Sequence, residues 1–132
     1  MLQFISVPVL GQACAGSSAP VDFDEITAWR EVRPLTGARP GDRFAAVPVC
    51  GDSLRDRNIV DGDWLIILYT PHADEGDLVV AVTPWGRTVK YLCSLDADTV
   101  LLKGANSAYE DQCWLKEEVR IQGVVKRVER DL

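Results

Sequence analysis

From Arg43 to the C-terminus the apolar residues come in short bursts, each closed by residues that turn a chain, and none keeps a helical period. Arg43 to Val49 is the first burst. Asp61-Gly62-Asp63 then feeds Trp64 to Tyr69, and Glu75-Gly76-Asp77 feeds Leu78 to Thr83. Pro84-Trp85-Gly86 turns the chain back into Arg87 to Leu92, which predicts a hairpin. Asp96-Ala97-Asp98 opens Thr99 to Lys103, and Glu118 to Val128 is a final, longer strand. A chain that changes direction this often buries its side chains by strand pairing. The spacing therefore predicts a mainly β domain of twisted, partly barrel-like antiparallel sheets.

The beginning of the chain is different. Gly11 to Pro20, GQACAGSSAP, is almost all small residues, which pack poorly and suit an extended segment. Asp22 to Val32 reads equally as a short helix or a strand, and Arg33 to Asp42, with Pro34, Gly37, Pro40 and Gly41, reads as a loop. The expected organisation is an N-terminal arm over residues 1–27 and a β domain over residues 28–132.

At 132 residues, 47% hydrophobic and 26% charged, the chain has the size and composition of one globular unit. Its net charge of -6 disfavours direct binding of nucleic acid, whose phosphates call for a basic face, and suits a protein partner better. No apolar run approaches the roughly 20 residues of a membrane helix, so no membrane partner is expected. The Ala-Cys-Ala near the N-terminus mimics a secretory cleavage site, but no positive segment precedes it and Gln3, Pro8 and Gly11 interrupt the apolar stretch. A cytoplasmic location follows. Cys14, Cys50, Cys93 and Cys113 form no CxxC pair, and His72 is the sole histidine. These residues predict buried free thiols in a reducing compartment, with no metal and no cofactor.

One position asks for chemistry. Ser53 sits in Val49-Cys50-Gly51-Asp52-Ser53-Leu54, where a strand enters a turn. Turn serines are common, and a hydroxyl is a weak nucleophile until a neighbour takes its proton. His72 lies in a loop, Thr70 to Asp74, with the pattern of a solvated side chain. Of the four lysines, Lys103, Lys116 and Lys126 stand near strand ends or among charges, whereas Lys90 stands inside Thr88-Val89-Lys90-Tyr91-Leu92. Burial there would disfavour the ammonium and make the amine a credible base. A lysine guarding an edge strand is the competing reading.

Six segments decide between these readings: Gly51-Asp52-Ser53, Ile59 to Asp63, Gly76 to Ala81, Thr88-Val89-Lys90, Asn106-Ser107-Ala108-Tyr109 and Gly123-Val124-Val125. In this order they resemble the C-terminal domain of the LexA, UmuD and phage-repressor family of self-cleaving serine/lysine peptidases, over about residues 5 to 130. The resemblance implies Ser53 as nucleophile, Lys90 as general base, and the backbone amides of Asp52 and Ser53 as the oxyanion hole. It implies a scissile Ala15–Gly16 bond within the arm, stimulation of cleavage by a RecA filament, and a homodimer in which Val119 to Val128 could pair with its twin. Leu54 stands where the family usually has methionine, a swap of similar volume. With about 14 residues ahead of the bond, the pattern looks most like UmuD, which implies a translesion DNA polymerase subunit as partner; a LexA-like or phage-like repressor domain, or a non-enzymatic interaction module, is the alternative.

Overall fold

A computed structural model describes residues 3–11, 13–14 (backbone alone), 26 and 28–132. The described residues form ten strands: β1 (Ile5–Val9), β2 (Ala13–Cys14), β3 (Ala28–Val32), β4 (Phe44–Cys50), β5 (Trp64–Tyr69), β6 (Leu78–Thr83), β7 (Gly86–Leu95), β8 (Thr99–Lys103), β9 (Gln112–Leu115) and β10 (Arg120–Glu129). Two short 3-10 turns, Arg55–Arg57 and Lys116–Glu118, are the only helical pieces among them. No helix among the described residues is long and apolar enough to cross a membrane.

The strands join into one sheet in the order β3-β1-β4-β5-β10-β6-β7-β8-β9, with β2 added beside β4. The mainly β expectation holds. Most ladders are antiparallel, but β1 and β2 both run parallel to β4, through Val9↔Ala46 and through Ala13↔Val49 and Cys14↔Cys50. Of the segment that reads as helix or strand, Ala28–Val32 is a strand. Ile5–Val9, inside the expected arm, is built into the sheet between β3 and β4. The predicted hairpin is present, with Thr83 opposite Gly86 across Pro84 and Trp85.

Strand alternation sorts the core. Ala45, Val47 and Val49 of β4 pack with Leu65 and Ile67 of β5 and Leu78 and Val80 of β6, while Ala46 and Ile66 between them join Val7, Val9 and Val32. Val79 and Ala81 of β6 turn instead towards Leu92, Leu102 and Val124. Each valine, leucine or isoleucine among them contributes about 1.5–3 kcal/mol by leaving water. The sheet is thus buried on both faces through β4, β5 and β6, and this fixes the end of β4 and the middle of β7, where the site lies.

The long C-terminal strand β10 is flanked by β6 along Arg120 to Val124 and by β5 along Gly123 to Glu129, which leaves one side of Val125 to Glu129 for a twin. One expectation needs correction: the thiols are not uniformly free and buried. Cys50 is disulfide-bonded, and Cys93 and Cys113 are free but exposed.

Candidate active site

Ser53 follows β4 by three residues. Gly51 makes the exit possible, because its φ of 88° lies in the left-handed region that side chains other than glycine's resist. The chain then bends through the 3-10 turn Arg55–Arg57. The segment after β8 locks this turn: the Ala105 amide donates to the Ser53 carbonyl at 2.6 Å, and the Asp56 amide donates to the Ala105 carbonyl at 2.7 Å. Asn106 adds a third tie, its side-chain amide donating to the Asp52 carbonyl at 2.9 Å.

Lys90 arrives from the middle of β7, opposite Val79 of β6. It is the largest fully buried side chain among the described residues, at 1% exposure, and Ser53 is equally buried at 1%. The other three lysines are exposed. So is His72, in the loop between β5 and β6.

Gly104 is where the two meet. A methyl group placed on its α-carbon would lie 2.9 Å from the Ser53 carbonyl oxygen, 3.7 Å from the Ser53 Cβ and 3.4 Å from the Lys90 Nζ. The Ser53 turn, the amine and the strand exit therefore converge at one point that has no room for a side chain. Ser53 Oγ is buried without a hydrogen-bond partner among the described residues, a costly state that native interiors rarely tolerate outside functional sites. The Asp52 and Ser53 amides likewise donate to no described acceptor. Burial holds the Lys90 pKa below the ordinary lysine value, and the Asp111 carboxylate pulls weakly the other way.

The segment expected to carry the cleavage site is partly in view. The backbone of Ala13 and Cys14 pairs with Val49 and Cys50 at the end of β4 and also lies against β7, the strand that carries Lys90. Ala15 and Gly16 lie outside the described residues.

Sequence reasoning brought forward Ser53, Lys90 and the two amides, but gave no role to Gly104 or to the side chains of Asn106 and Tyr109. Gly104 read only as the turn closing a strand. Nothing in its neighbours signals that the nucleophile turn, some fifty positions earlier, would press against it.

The site is thus a buried serine and a buried lysine that share one small space in a mainly β domain. Comparison with known proteins gives the family: the Peptidase S24-like family matches residues 8–126, and the chain belongs to it. This is the LexA, UmuD and phage-repressor group that the six sequence segments resemble. Among curated relatives, the LexA repressor of Erythrobacter litoralis is 37% identical over 120 residues, covering 90% of this chain and 49% of that protein. The LexA repressor of Novosphingobium aromaticivorans is 37% identical over 121 residues, with the same coverage. The chain spans about half the length of these relatives.

Proposed function

We propose that this chain is a LexA-like self-cleaving serine peptidase domain, with Ser53 as nucleophile, Lys90 as general base and the Ala15–Gly16 bond of its own N-terminal segment as substrate. One observation carries the reading: Ser53 and Lys90 are both withdrawn from solvent against the same glycine, and the serine hydroxyl has no described hydrogen-bond partner. Neutral Lys90 takes the Ser53 hydroxyl proton as Oγ bonds to the Ala15 carbonyl carbon. The Asp52 and Ser53 amides hold the oxyanion that forms. The protonated amine then delivers its proton to the departing Gly16 nitrogen as the peptide bond breaks, and water hydrolyses the Ala15 ester by the same base. Tethering the bond to its own site raises its effective concentration, so a shallow docking strand suffices in place of a deep pocket. The pairing of Ala13 and Cys14 with the end of β4 supports a docking of this kind.

The relatives favour the repressor reading over the polymerase-subunit reading, since both are LexA repressors. The protein is proposed to act in the cytoplasm as a homodimer, with cleavage stimulated by a RecA filament. The test is intact-mass measurement after incubation with RecA assembled on single-stranded DNA, and separately at alkaline pH. A new fragment beginning at Gly16, absent from Ser53→Ala and Lys90→Ala, is the expected result. Cutting that persists in either variant, or an inert wild type under both conditions, would overturn the reading.

A further inference from the structure

Tyr109 touches both halves of the proposed machinery and has no part in the chemistry written above. Its hydroxyl donates to the Asp52 carboxylate at 2.5 Å, and its ring centroid lies 5.4 Å from the Lys90 Nζ. The short turn that carries it is firmly built: the Tyr109 amide donates to the Asn106 carbonyl at 3.1 Å, and the Ala108 amide donates to the Asn106 side-chain oxygen at 3.0 Å. Tyr109 lines two cavities, one of about 270 Å³ bounded also by Trp85, Thr88 and Lys90 and one of about 410 Å³ bounded also by Asp56, Lys103 and Ser107.

We propose that Tyr109 is a positioning residue with two separable actions: its ring faces the Lys90 amine and favours the charged ammonium, and its hydroxyl fixes Asp52 and thereby the amides of the nucleophile turn. The proposal rests on the assignment of Ser53 and Lys90 made above. An aromatic face attracts a cation and offers nothing comparable to a neutral amine, so the ring holds the lysine back from the base form that burial promotes. The hydroxyl acts on geometry. Asp52 is held at its carbonyl by Asn106 and at its carboxylate by Tyr109, so the peptide joining Asp52 to Ser53 is gripped from both sides. The phenol must keep its proton to donate, and the bond to Asp52 raises the Tyr109 pKa, so the clasp persists through the neutral range.

The charged groups on the elements around Lys90 are Asp52, Arg55, Asp56 and Arg57 of the nucleophile turn, Arg87 on β7, Lys103 at the end of β8, and Glu110 and Asp111 beyond Tyr109; β6 presents Val79. Of these, Asp111 also favours the ammonium. The comparison must therefore leave them unchanged and alter Tyr109 alone.

The test uses the full chain in three forms: wild type, Tyr109→Phe, which keeps the ring, and Tyr109→Leu, which keeps the apolar cover but not the ring. In the Ser53→Ala background, where the chain stays whole, the Lys90 side chain is titrated by carbon-13 NMR of labelled lysine, with Lys90→Arg identifying its signal. The midpoint in Tyr109→Leu should fall about half a pH unit below wild type, while Tyr109→Phe should match wild type. With Ser53 present, Tyr109→Phe should lower the alkaline plateau of the self-cleavage rate about tenfold without moving its midpoint. Coincident Lys90 midpoints in all three forms would overturn the ring's action, and a Tyr109→Phe plateau equal to wild type would overturn the hydroxyl's. Tyr109→Met replaces the leucine variant if that chain folds poorly. Should the wild type not cut, or cut without Ser53, the peptidase reading fails, yet the Lys90 titration still decides the ring's action.

Discussion

Lys90 and Asp63 are both 1% exposed, and the protein treats these two buried ionisable groups in opposite ways. Asp63 is fully answered. Arg130 donates to it from Nε at 2.7 Å and from Nη2 at 2.9 Å, and the Val60 amide donates at 2.9 Å. The same guanidinium reaches the Asn58 carbonyl at 3.0 Å, so the end of the chain is stapled to the loop that follows the nucleophile turn. Around Lys90 there is no described ion pair, only an aromatic face and the through-space attraction of Asp111. The pKa directions follow: Arg130 drives Asp63 below the ordinary carboxylate value, and burial drives Lys90 below the ordinary lysine value. A satisfied buried charge holds a loop, whereas an unsatisfied one is withheld from its preferred state and so remains available for proton transfer.

The sharpest break in this comparison is Lys90→Met. It should abolish self-cleavage in an intact-mass assay and at the same time raise the unfolding free energy at neutral pH by at least about 1 kcal/mol, since an apolar chain of similar length suffers no such desolvation. Lys90 binds its proton more weakly folded than unfolded. Its penalty is therefore present in full below the folded pKa and lifts as pH rises through that value towards 10.5. The stability advantage of Lys90→Met should shrink over that window in denaturant titrations, and a constant advantage would mean that Lys90 is not a depressed amine.

Asp63→Ala should act in reverse, destabilising the fold by about 2–4 kcal/mol while leaving the dyad chemistry intact in chains that remain folded. Because its folded pKa is depressed, the Asp63 contribution is complete above the ordinary value of 3.8 and is lost as pH falls through the lowered one. Acid unfolding of wild type and variant should converge at the bottom of that range. A variant that unfolds like wild type at neutral pH would show that the staple is ornamental.

The contrast between the two sites also marks what a sequence can disclose. Strand alternation and turn residues are local, so the bursts from Arg43 onward and the lysine embedded in Thr88 to Leu92 were legible, and the order of six short segments pointed to Ser53 and Lys90. The Asp63–Arg130 pair spans 67 positions, and neither residue announces the other. The central place of β10, the parallel pairing of β1 with β4 and the disulfide at Cys50 are equally products of three-dimensional closure. The fold class came from patterns read within a few residues. Their arrangement around the site did not.

Gly104→Ala tests how tightly that closure is drawn. Its methyl would meet the Ser53 carbonyl at 2.9 Å, a backbone atom already bound by Ala105 that cannot retreat without moving the nucleophile. Overpacking of this kind costs about 1–3 kcal/mol, and a displacement of the serine by a fraction of an ångström should slow cleavage about tenfold to a hundredfold. An alanine variant that cuts at the wild-type rate would mean that the turn and the amine are less closely coupled than their shared glycine implies.

The smallest effect belongs to Asp111, the one carboxylate that reaches Lys90 through space. It also lies 3.9 Å from Lys103 on the exposed side of the loop, so solvent and a competing cation both weaken its hold on the buried amine. Asp111→Asn removes an attraction for the ammonium, so the pH midpoint of cleavage should move down, by less than in Tyr109→Leu, and the difference should narrow as salt is added. The aromatic contribution comes from a ring without net charge, 5.4 Å from the buried amine, and should respond less to salt. If the two variants respond to salt alike, the ring and the carboxylate are not separate influences on the lysine, and the contrast between a screened surface charge and a neighbouring aromatic face has to be abandoned.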